Sequence, residues 1–577
     1  MSYKWKQLPI TPQEKEAANH LASEIGINPL LGPILYRRGI KTKRDAQKFF
    51  RPQLTDLHDP FEMRDMDKAV DRLNEAIGQK EKILVYGDYD VDGCTAVTLV
   101  YKFLYSFYSN VSYYIPDRYD DGYGISFKAI DRAASLGVKV IIILDCGIKA
   151  HEEISYANKL GIDFIVCDHH VPDDTLPPAY AILDPKRKDE TYPYQDLCGC
   201  GIGFKLMQAF ALNNGIEFSR LTPLLELCAV SIAADLVPVL GENRILAYHG
   251  LRQLNANPSV GLQAIINVCG LTGKEIGMPD IIFRIGPRIN ASGRVQNGGE
   301  TIDLLIEKDY DLALEKANKI NAYNETRKDI DKQMTEEANA IVDKIKNLDN
   351  RRSIVVYSRE WHKGVIGIVA SRLTELYYRP TVVLALDDDG NLTGSARSVA
   401  GFDIYSGIES CKDLLKNFGG HTYAVGLTLS EDNIKPFIQR FEQYVEEHIE
   451  EEQTAATLDV EDELSFSDIS TALYYDLRKL RPFGPDNPEP KFSTHSVYDF
   501  GTSKVVGRGQ EHIKLELVDN KSNNILSGIA FGQSSHARFI KTKRAFNICY
   551  TIAENIYKHG EIQLQIEDIQ PANPEQH

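Results

Sequence analysis

The chain has 577 residues, 43% hydrophobic and 25% charged, with a formal net charge of −17. That length exceeds what one hydrophobic core serves, so three or four domains are expected, and the composition is that of an ordinary folded protein. The acidic balance excludes indiscriminate polyanion binding but leaves room for a local basic groove.

No apolar run approaches membrane-spanning length. The start, Met1-Ser2-Tyr3-Lys4-Trp5-Lys6, lacks the apolar region of a signal peptide, so a cytoplasmic protein is expected. Nine cysteines occur without a Cys-x-x-Cys pair and read as buried reduced thiols rather than disulfides or zinc ligands.

Residues 1–80 read as short helices punctuated by Pro29, Pro33, Pro52 and Pro60, with an amphipathic helix over 66–77. From Glu81 short apolar strands alternate with helices. Strands are expected over 83–86, 111–115, 138–144 and 164–167, and helices over 94–105, 126–136 and 151–160. Such a pattern implies a parallel sheet covered on both faces. Gly199-Cys200-Gly201-Ile202-Gly203 has no strand directly before it, which argues against a dinucleotide-binding loop. It reads as a tight turn that opens a helix over 204–212 and helps to hold a phosphate. An apolar helix follows over 223–234.

Residues 311–348 carry an apolar stripe at steps of three, four or seven, which predicts a connecting helix of about 55 Å. A second α/β unit comes next, with strands over 353–357 and 381–386 around a helix beginning near Val365. Gly394-Ser395-Ala396-Arg397-Ser398 follows, then Gly419-Gly420-His421 leading into a strand over 422–429. The acidic run 445–453 closes a helix and marks a linker. Strands over 512–518, 525–531, 546–552 and 562–566 suggest a small closed β-barrel, with a β-sandwich as the alternative. The expected divisions are 1–80, 81–306, 307–350, 351–453 and 454–577: a helical segment packing on the core, a catalytic α/β domain, the long helix, a second α/β domain and the barrel.

The chemistry collects just past the carboxyl ends of the strands, where open α/β sheets bind ligands. Asp88, Asp90 and Asp92 follow the first strand, Asp145 the third, and Asp168-His169-His170 the fourth, while Asp235 follows the apolar helix. Each alone reads as a helix cap or turn residue. Their joint occurrence has no such common explanation. Carboxylates gathered this way repel one another unless cations sit among them, and oxygen ligands favour Mg²⁺ or Mn²⁺. An EF-hand is excluded, because position twelve counted from Asp88 is Leu99 and a strand precedes the cluster.

Asp88-Tyr89-Asp90-Val91-Asp92-Gly93, Asp145-Cys146-Gly147, Asp168-His169-His170 and Ala234-Asp235, in this order, resemble the four motifs of the DHH phosphoesterase family. Further stretches resemble its branch of single-strand-specific 5′-to-3′ DNA exonucleases. They include Leu57-His58-Asp59-Pro60-Phe61, Ile115-Pro116-Asp117-Arg118 with Gly122-Tyr123-Gly124, and Leu197-Cys198-Gly199-Cys200-Gly201. Arg284 through Asn290 with Gly293-Arg294 completes the set.

The resemblance implies a parallel-sheet catalytic domain joined by a long helix to a DHH-associated α/β domain, with a C-terminal OB-like barrel. It implies two divalent ions, Mn²⁺ preferred or Mg²⁺, held by Asp90, Asp92, Asp145, His169 and Asp235, with Asp145 bridging them. Asp88, Asp168 and His170 are then supporting catalytic groups. Arg118, Ser395 and Arg397 would take a terminal 5′ phosphate and Tyr123 would stack on the first base. Arg288, Asn290 and Arg294 would contact the backbone or scissile phosphate, and His421 the substrate. The implied activity is hydrolysis of single-stranded DNA from the 5′ end to 5′-mononucleotides, in DNA repair and recombination. Single-stranded DNA is the implied partner, with a single-strand-binding protein and a helicase beside it, and no membrane; the chain would act as a monomer. The rival readings are a phosphoesterase of short oligoribonucleotides or cyclic dinucleotides, and a non-catalytic single-strand-binding scaffold. The extra N- and C-terminal segments disfavour the first, and the intact acids and histidines disfavour the second.

Overall fold

In the computed structural model the described residues are 3–116, 124–295, 298–345, 347–387, 390–555 and 560–572, without the side chains of 294, 295 and 349. The chain divides into two compact units. One comprises Gln47–Arg327 and Leu480–Pro488; the other comprises Met1–Ala46, Lys328–Lys479 and Glu489–His577.

The first unit is built on five parallel strands: β1 (Lys82–Gly87), β2 (Val111–Tyr114), β3 (Val138–Leu144), β4 (Asp163–Cys167) and β5 (Ala181–Leu183), in the order β2-β1-β3-β4-β5. Their side chains alternate between two buried layers, as the two-residue strand period requires. Ile83, Val85, Val140, Ile142, Leu144, Ile165 and Cys167 enter one core with the helices Val91–Tyr105, Gly199–Asn213 and Leu225–Ala234. Leu84, Tyr86, Ile141, Ile143, Phe164 and Val166 enter the other with Phe127–Ser135 and His151–Lys159. Two apolar faces explain why these strands read as continuous hydrophobic runs.

One local expectation is corrected. Gly199, Gly201 and Gly203 lie inside the first turns of the helix Gly199–Asn213, capped by Cys198, rather than in a turn before it. The reason is close approach: a Cβ on Gly199 would stand 2.7 Å from Asp145 Cβ, and one on Gly203 would stand 3.0 Å from Leu144 Cδ2. The strand β5, only three residues long, went unread.

The long helix runs over Tyr310–Val342, about 50 Å at 1.5 Å per residue. It ends before the expected 348, where Leu348–Asn350 forms a separate 3₁₀ turn.

In the second unit, β6 (Ile354–Ser358), β7 (Thr381–Leu386), β8 (Asn391–Arg397), β9 (Leu415–His421) and β10 (Ala424–Ser430) form a sheet in the order β9-β10-β8-β7-β6. Only the β6–β7 pair is parallel. Gly419-Gly420-His421 was expected to lead into a strand; instead it ends β9, with His421 paired to Ala424 across a tight hairpin. Gly420 has φ +150°, and a Cβ there would collide with the Ala424 carbonyl, so only glycine fits.

The last strands are β11 (Phe492–Asp499), β12 (His512–Asp519), β13 (Ile525–Ala530), β14 (Phe546–Glu554) and β15 (Ile562–Pro571). Pairings β11–β14, β14–β15, β15–β13, β13–β12 and β12–β11 return to the starting strand. This is a closed five-stranded barrel, not a sandwich. All nine cysteines are free and buried, and no helix among the described residues is long and apolar enough to cross a membrane.

Candidate metal centre

The chain leaves β1 for β2 on one side and returns to β3 on the other. The crevice at the carboxyl ends of β1 and β3 is therefore the topological switch point of the sheet. Asp88 follows β1 directly. Asp90 caps the helix Val91–Tyr105, accepting from Gly93 N at 3.0 Å, and Asp92 lies in its first turn. Asp145 follows β3 with φ 60°, a left-handed conformation uncommon for a residue with a side chain. Its amide donates to Cys167 O at 2.9 Å, which fixes it against the end of β4. Asp235 is the C-cap of Leu225–Ala234.

These elements converge on His169. Its Nε2 lies 3.2 Å from Asp145 Oδ1, 3.6 Å from Asp235 Oδ2 and 3.8 Å from Asp92 Oδ2. The ring is buried, and neither nitrogen makes a hydrogen bond with a described residue. Ligand atoms of Asp92, His169 and Asp235 lie within 4.8 Å of one another, as do those of Asp88, Asp90 and Asp145. Asp145 also groups with His169 and His170, so it stands between the two sets.

The electrostatics are those of a site that gathers negative charge in the protein interior. Burial, then repulsion from Asp92, Asp90, Asp88 and Asp235, pushes the Asp145 carboxyl far above the usual range. Burial and the charges of Asp92 and Asp90 push Asp235 up to about 8, and burial beside Asp92 raises Asp90. Burial lowers His169 to about 4, leaving the neutral imidazole that coordinates metals. A buried imidazole with no hydrogen-bond partner among the described residues, ringed by mutually repelling carboxylates, fits a divalent cation.

Asp168 is arranged differently. It accepts from Ile148 N at 3.0 Å, His169 N at 2.8 Å, His170 N at 3.1 Å and His170 Nδ1 at 2.7 Å. Burial alone would raise its pKa, but the His170 bond and these amides bring it down to about 2. Burial would likewise depress His170, yet Asp168 raises it to about 9. The Asp168 hydrogen bond thus favours the protonated form of His170 and fixes its ring beside the cluster.

Two residues escaped the reading of the sequence. Ser231, buried within the apolar helix, donates to Asp92 Oδ1 at 2.6 Å; its signal was a hydroxyl four residues before Asp235. Asp184 follows the short β5 and is fully buried. Its Oδ1 accepts from Lys186 N at 2.8 Å, and its Oδ2 makes no hydrogen bond with a described residue. Burial pushes its carboxyl up to about 7.

Of the expected substrate residues, Arg118 and Tyr123 lie outside the described residues, and Arg294 is placed only by its backbone on the helix Gly286–Val295. Arg288, on that helix, donates to Asn321 Oδ1 at 2.8 Å and Arg284 O at 2.7 Å. Asn290 is half-buried on it. Ser395, Arg397 and His421 belong to the other unit. There Arg397 and His421 flank Ala424 in one register row, and Ser395 and Gly419 flank Gly426. Arg397 Nη1 donates to Ser395 Oγ at 2.7 Å. A Cβ on Gly367, at the start of the helix Ile366–Tyr377, would stand 3.0 Å from Arg397 Nη2.

Residues 82–232 match the DHH family, N-terminal domain; residues 337–447 match the DHHA1 domain, and 460–568 the RecJ OB domain. The chain is 35% identical to the single-stranded-DNA-specific exonuclease RecJ of Bacillus subtilis over 510 residues, covering 88% of this chain and 64% of that protein. It is 32% identical to RecJ of Escherichia coli over 585 aligned residues, covering 98% of this chain and 100% of that one. The crystal structure of RecJ from Thermus thermophilus in complex with Mn²⁺ superposes with a TM-score of 0.84 at 25% identity, over 99% of this chain and 80% of that one. With a DHH unit, a DHHA1 domain and an OB barrel in one polypeptide, the chain belongs to the RecJ family.

Proposed function

We propose that the chain is a metal-dependent exonuclease that degrades single-stranded DNA from the 5′ end to mononucleotides. The observation that carries this reading is the division of the acids into two ligand sets around one shared aspartate. Asp88, Asp90 and Asp145 would hold one divalent ion, and Asp92, His169 and Asp235 the other, with Asp145 between them. This assignment moves Asp88 from a supporting group to a ligand. When bound, the two ions polarise the scissile phosphate and lower the pKa of the attacking water.

The chain's own residues do the rest. Asp168 orients His169 through its backbone and keeps His170 protonated, so that His170 offers a positive hydrogen-bond donor to a phosphate oxygen. Arg288, Asn290 and Arg294 would position the phosphodiester backbone. Arg397 and Ser395, beside the start of the helix Ile366–Tyr377, offer a guanidinium, a hydroxyl and helix amides suited to a terminal phosphate. Arg118 is proposed for a terminal phosphate, Tyr123 for the first base and His421 for the DNA strand. The closed barrel offers a single-strand-binding surface.

Mn²⁺ suits a site that mixes one imidazole with carboxylates, and Mg²⁺ would substitute. The relatives' names, single-stranded-DNA-specific exonuclease, support single-stranded DNA as substrate; a role in repair and recombination belongs to the proposal. A cytoplasmic monomer that works beside a single-strand-binding protein and a helicase completes the proposal. End-labelled single- and double-stranded DNA, incubated with Mn²⁺, Mg²⁺ or chelator, tests it. Mononucleotides released only from 5′ ends of single strands, and only with metal, are expected; 3′-end release or chelator resistance would overturn it.

A further inference from the structure

Asp92 differs from the other acids of the cluster in how firmly it is held. Its Oδ2 accepts from Gly199 N at 2.6 Å, and its Oδ1 accepts from Cys200 N at 2.7 Å and Ser231 Oγ at 2.6 Å. The two amides open the helix Gly199–Asn213, so that helix start holds a carboxylate of the protein rather than a phosphate. The third donor comes from another element. Ser231 is fully buried one turn before Asp235 on Leu225–Ala234, and Asp235 N donates to Ser231 O at 2.9 Å.

One helix therefore fixes two members of the Asp92, His169 and Asp235 set. It presents Asp235 directly and reaches Asp92 through the Ser231 hydroxyl. We infer that Ser231 is a positioning residue for metal binding, setting the carboxylate plane of Asp92 relative to Asp235. With its hydroxyl gone, Oδ1 keeps a single donor from Cys200, and the hydrogen bond that links the carboxylate to the helix carrying Asp235 is lost. Nothing apolar can replace this donor, because the hydroxyl serves a buried charge and leaves it under-satisfied when removed.

The loss should fall unequally on the two metals. Mg²⁺ demands near-ideal octahedral geometry at short distances and tolerates a tilted ligand poorly. Mn²⁺ is less exacting, so a Ser231 variant should retain more Mn²⁺-supported than Mg²⁺-supported function. Outer partners of metal ligands typically change affinity by about 10–100-fold when removed.

This inference rests on the metal reading of the cluster, and one experiment separates the two. Mn²⁺ binding to the full chain is measured by calorimetry and by the spin-resonance signal of bound Mn²⁺, for wild type, Ser231→Ala, Ser231→Cys and Ser231→Thr. The expected result is about tenfold or more weaker Mn²⁺ binding in Ser231→Ala and Ser231→Cys, near-wild-type binding in Ser231→Thr, which keeps a hydroxyl, and a lower Mg²⁺-to-Mn²⁺ activity ratio in the first two. In an Asp92→Asn background, Ser231→Ala should add little. Wild-type protein that binds no Mn²⁺ would sink the metal reading itself. Tight wild-type binding with unchanged affinity in the folded alanine and cysteine variants, or an equal loss in the threonine variant, would overturn the role of Ser231 alone.

Discussion

His170 Nδ1 donates to Asp168 Oδ1 at 2.7 Å, and the same oxygen accepts the His169 and His170 amides. A single carboxylate thus fixes the backbone of one imidazole and the charge of the next. Asp168→Asn offers a neutral acceptor in its place and removes the anion that keeps His170 protonated. Exonuclease activity should fall about 10–100-fold, while Mn²⁺ binding weakens less than in Asp145→Ala. Single-turnover rates and Mn²⁺ titrations check this; unchanged turnover would remove the pair from the mechanism.

Gly199 touches the centre without offering it a side chain. A Cβ there would stand 2.7 Å from Asp145 Cβ, closer than side chains pack, and in tight contact, 3.1 Å, with Asp92 Oδ2. Gly199→Ala should keep the helix, since alanine is the better helix former, yet lower Mn²⁺ affinity by about tenfold or more as both aspartates shift. Circular dichroism and calorimetry on one sample check both halves.

Beneath the sheet, Lys205 and Glu242 form a buried ion pair at 3.0 Å. Lys205 Nζ also donates to His58 O at 2.6 Å, and Glu242 accepts from His58 N at 3.0 Å and Tyr192 Oη at 2.5 Å. This network ties the Leu57–Phe61 stretch to the catalytic unit. Lys205→Met leaves Glu242 buried without its counter-charge and should cost about 3–5 kcal/mol, while the Lys205→Met, Glu242→Leu pair should recover part of that loss. Urea unfolding followed in the catalytic unit measures both.

In the barrel, Asp519 Oδ2 accepts from Ser465 Oγ at 2.6 Å, Phe466 N at 3.0 Å and Ser522 Oγ at 2.8 Å, and Oδ1 accepts from Lys521 N at 2.9 Å. Burial would raise its pKa, but these donors hold it below the ordinary carboxylate value. A carboxyl with a depressed folded-state pKa stabilises above its unfolded pKa, and that stability is lost as pH falls through the folded value. The unit containing the barrel should lose stability in acid, below about pH 4, and Asp519→Asn should be less stable at neutral pH but lose less on acidification. Thermal unfolding between neutral pH and about pH 3 reads the difference.

The parallel sheet is legible because its strands are apolar on both faces, and the acids mark the strand ends in the sequence. The grouping of those acids was not legible. On an extended backbone Asp88, Asp90 and Asp92 share one face, but a helix begins at Val91 and turns Asp92 away toward His169. That is why the trio divides between two groups of candidate ligand atoms. Ser231 was hidden because a lone hydroxyl in an apolar helix is usually silent, and Asp184 because a three-residue strand carries too little pattern. The glycines at 199–203 were read as a turn, since close approach and turn conformation use the same residue for different reasons.

The most direct test of the account is the anomalous scattering of Mn²⁺ in crystals of this protein. It predicts two peaks, one among Asp88, Asp90 and Asp145 and one among Asp92, His169 and Asp235, with Asp145 contacting both. A single peak, or an Asp145 carboxylate that contacts neither ion, would contradict it.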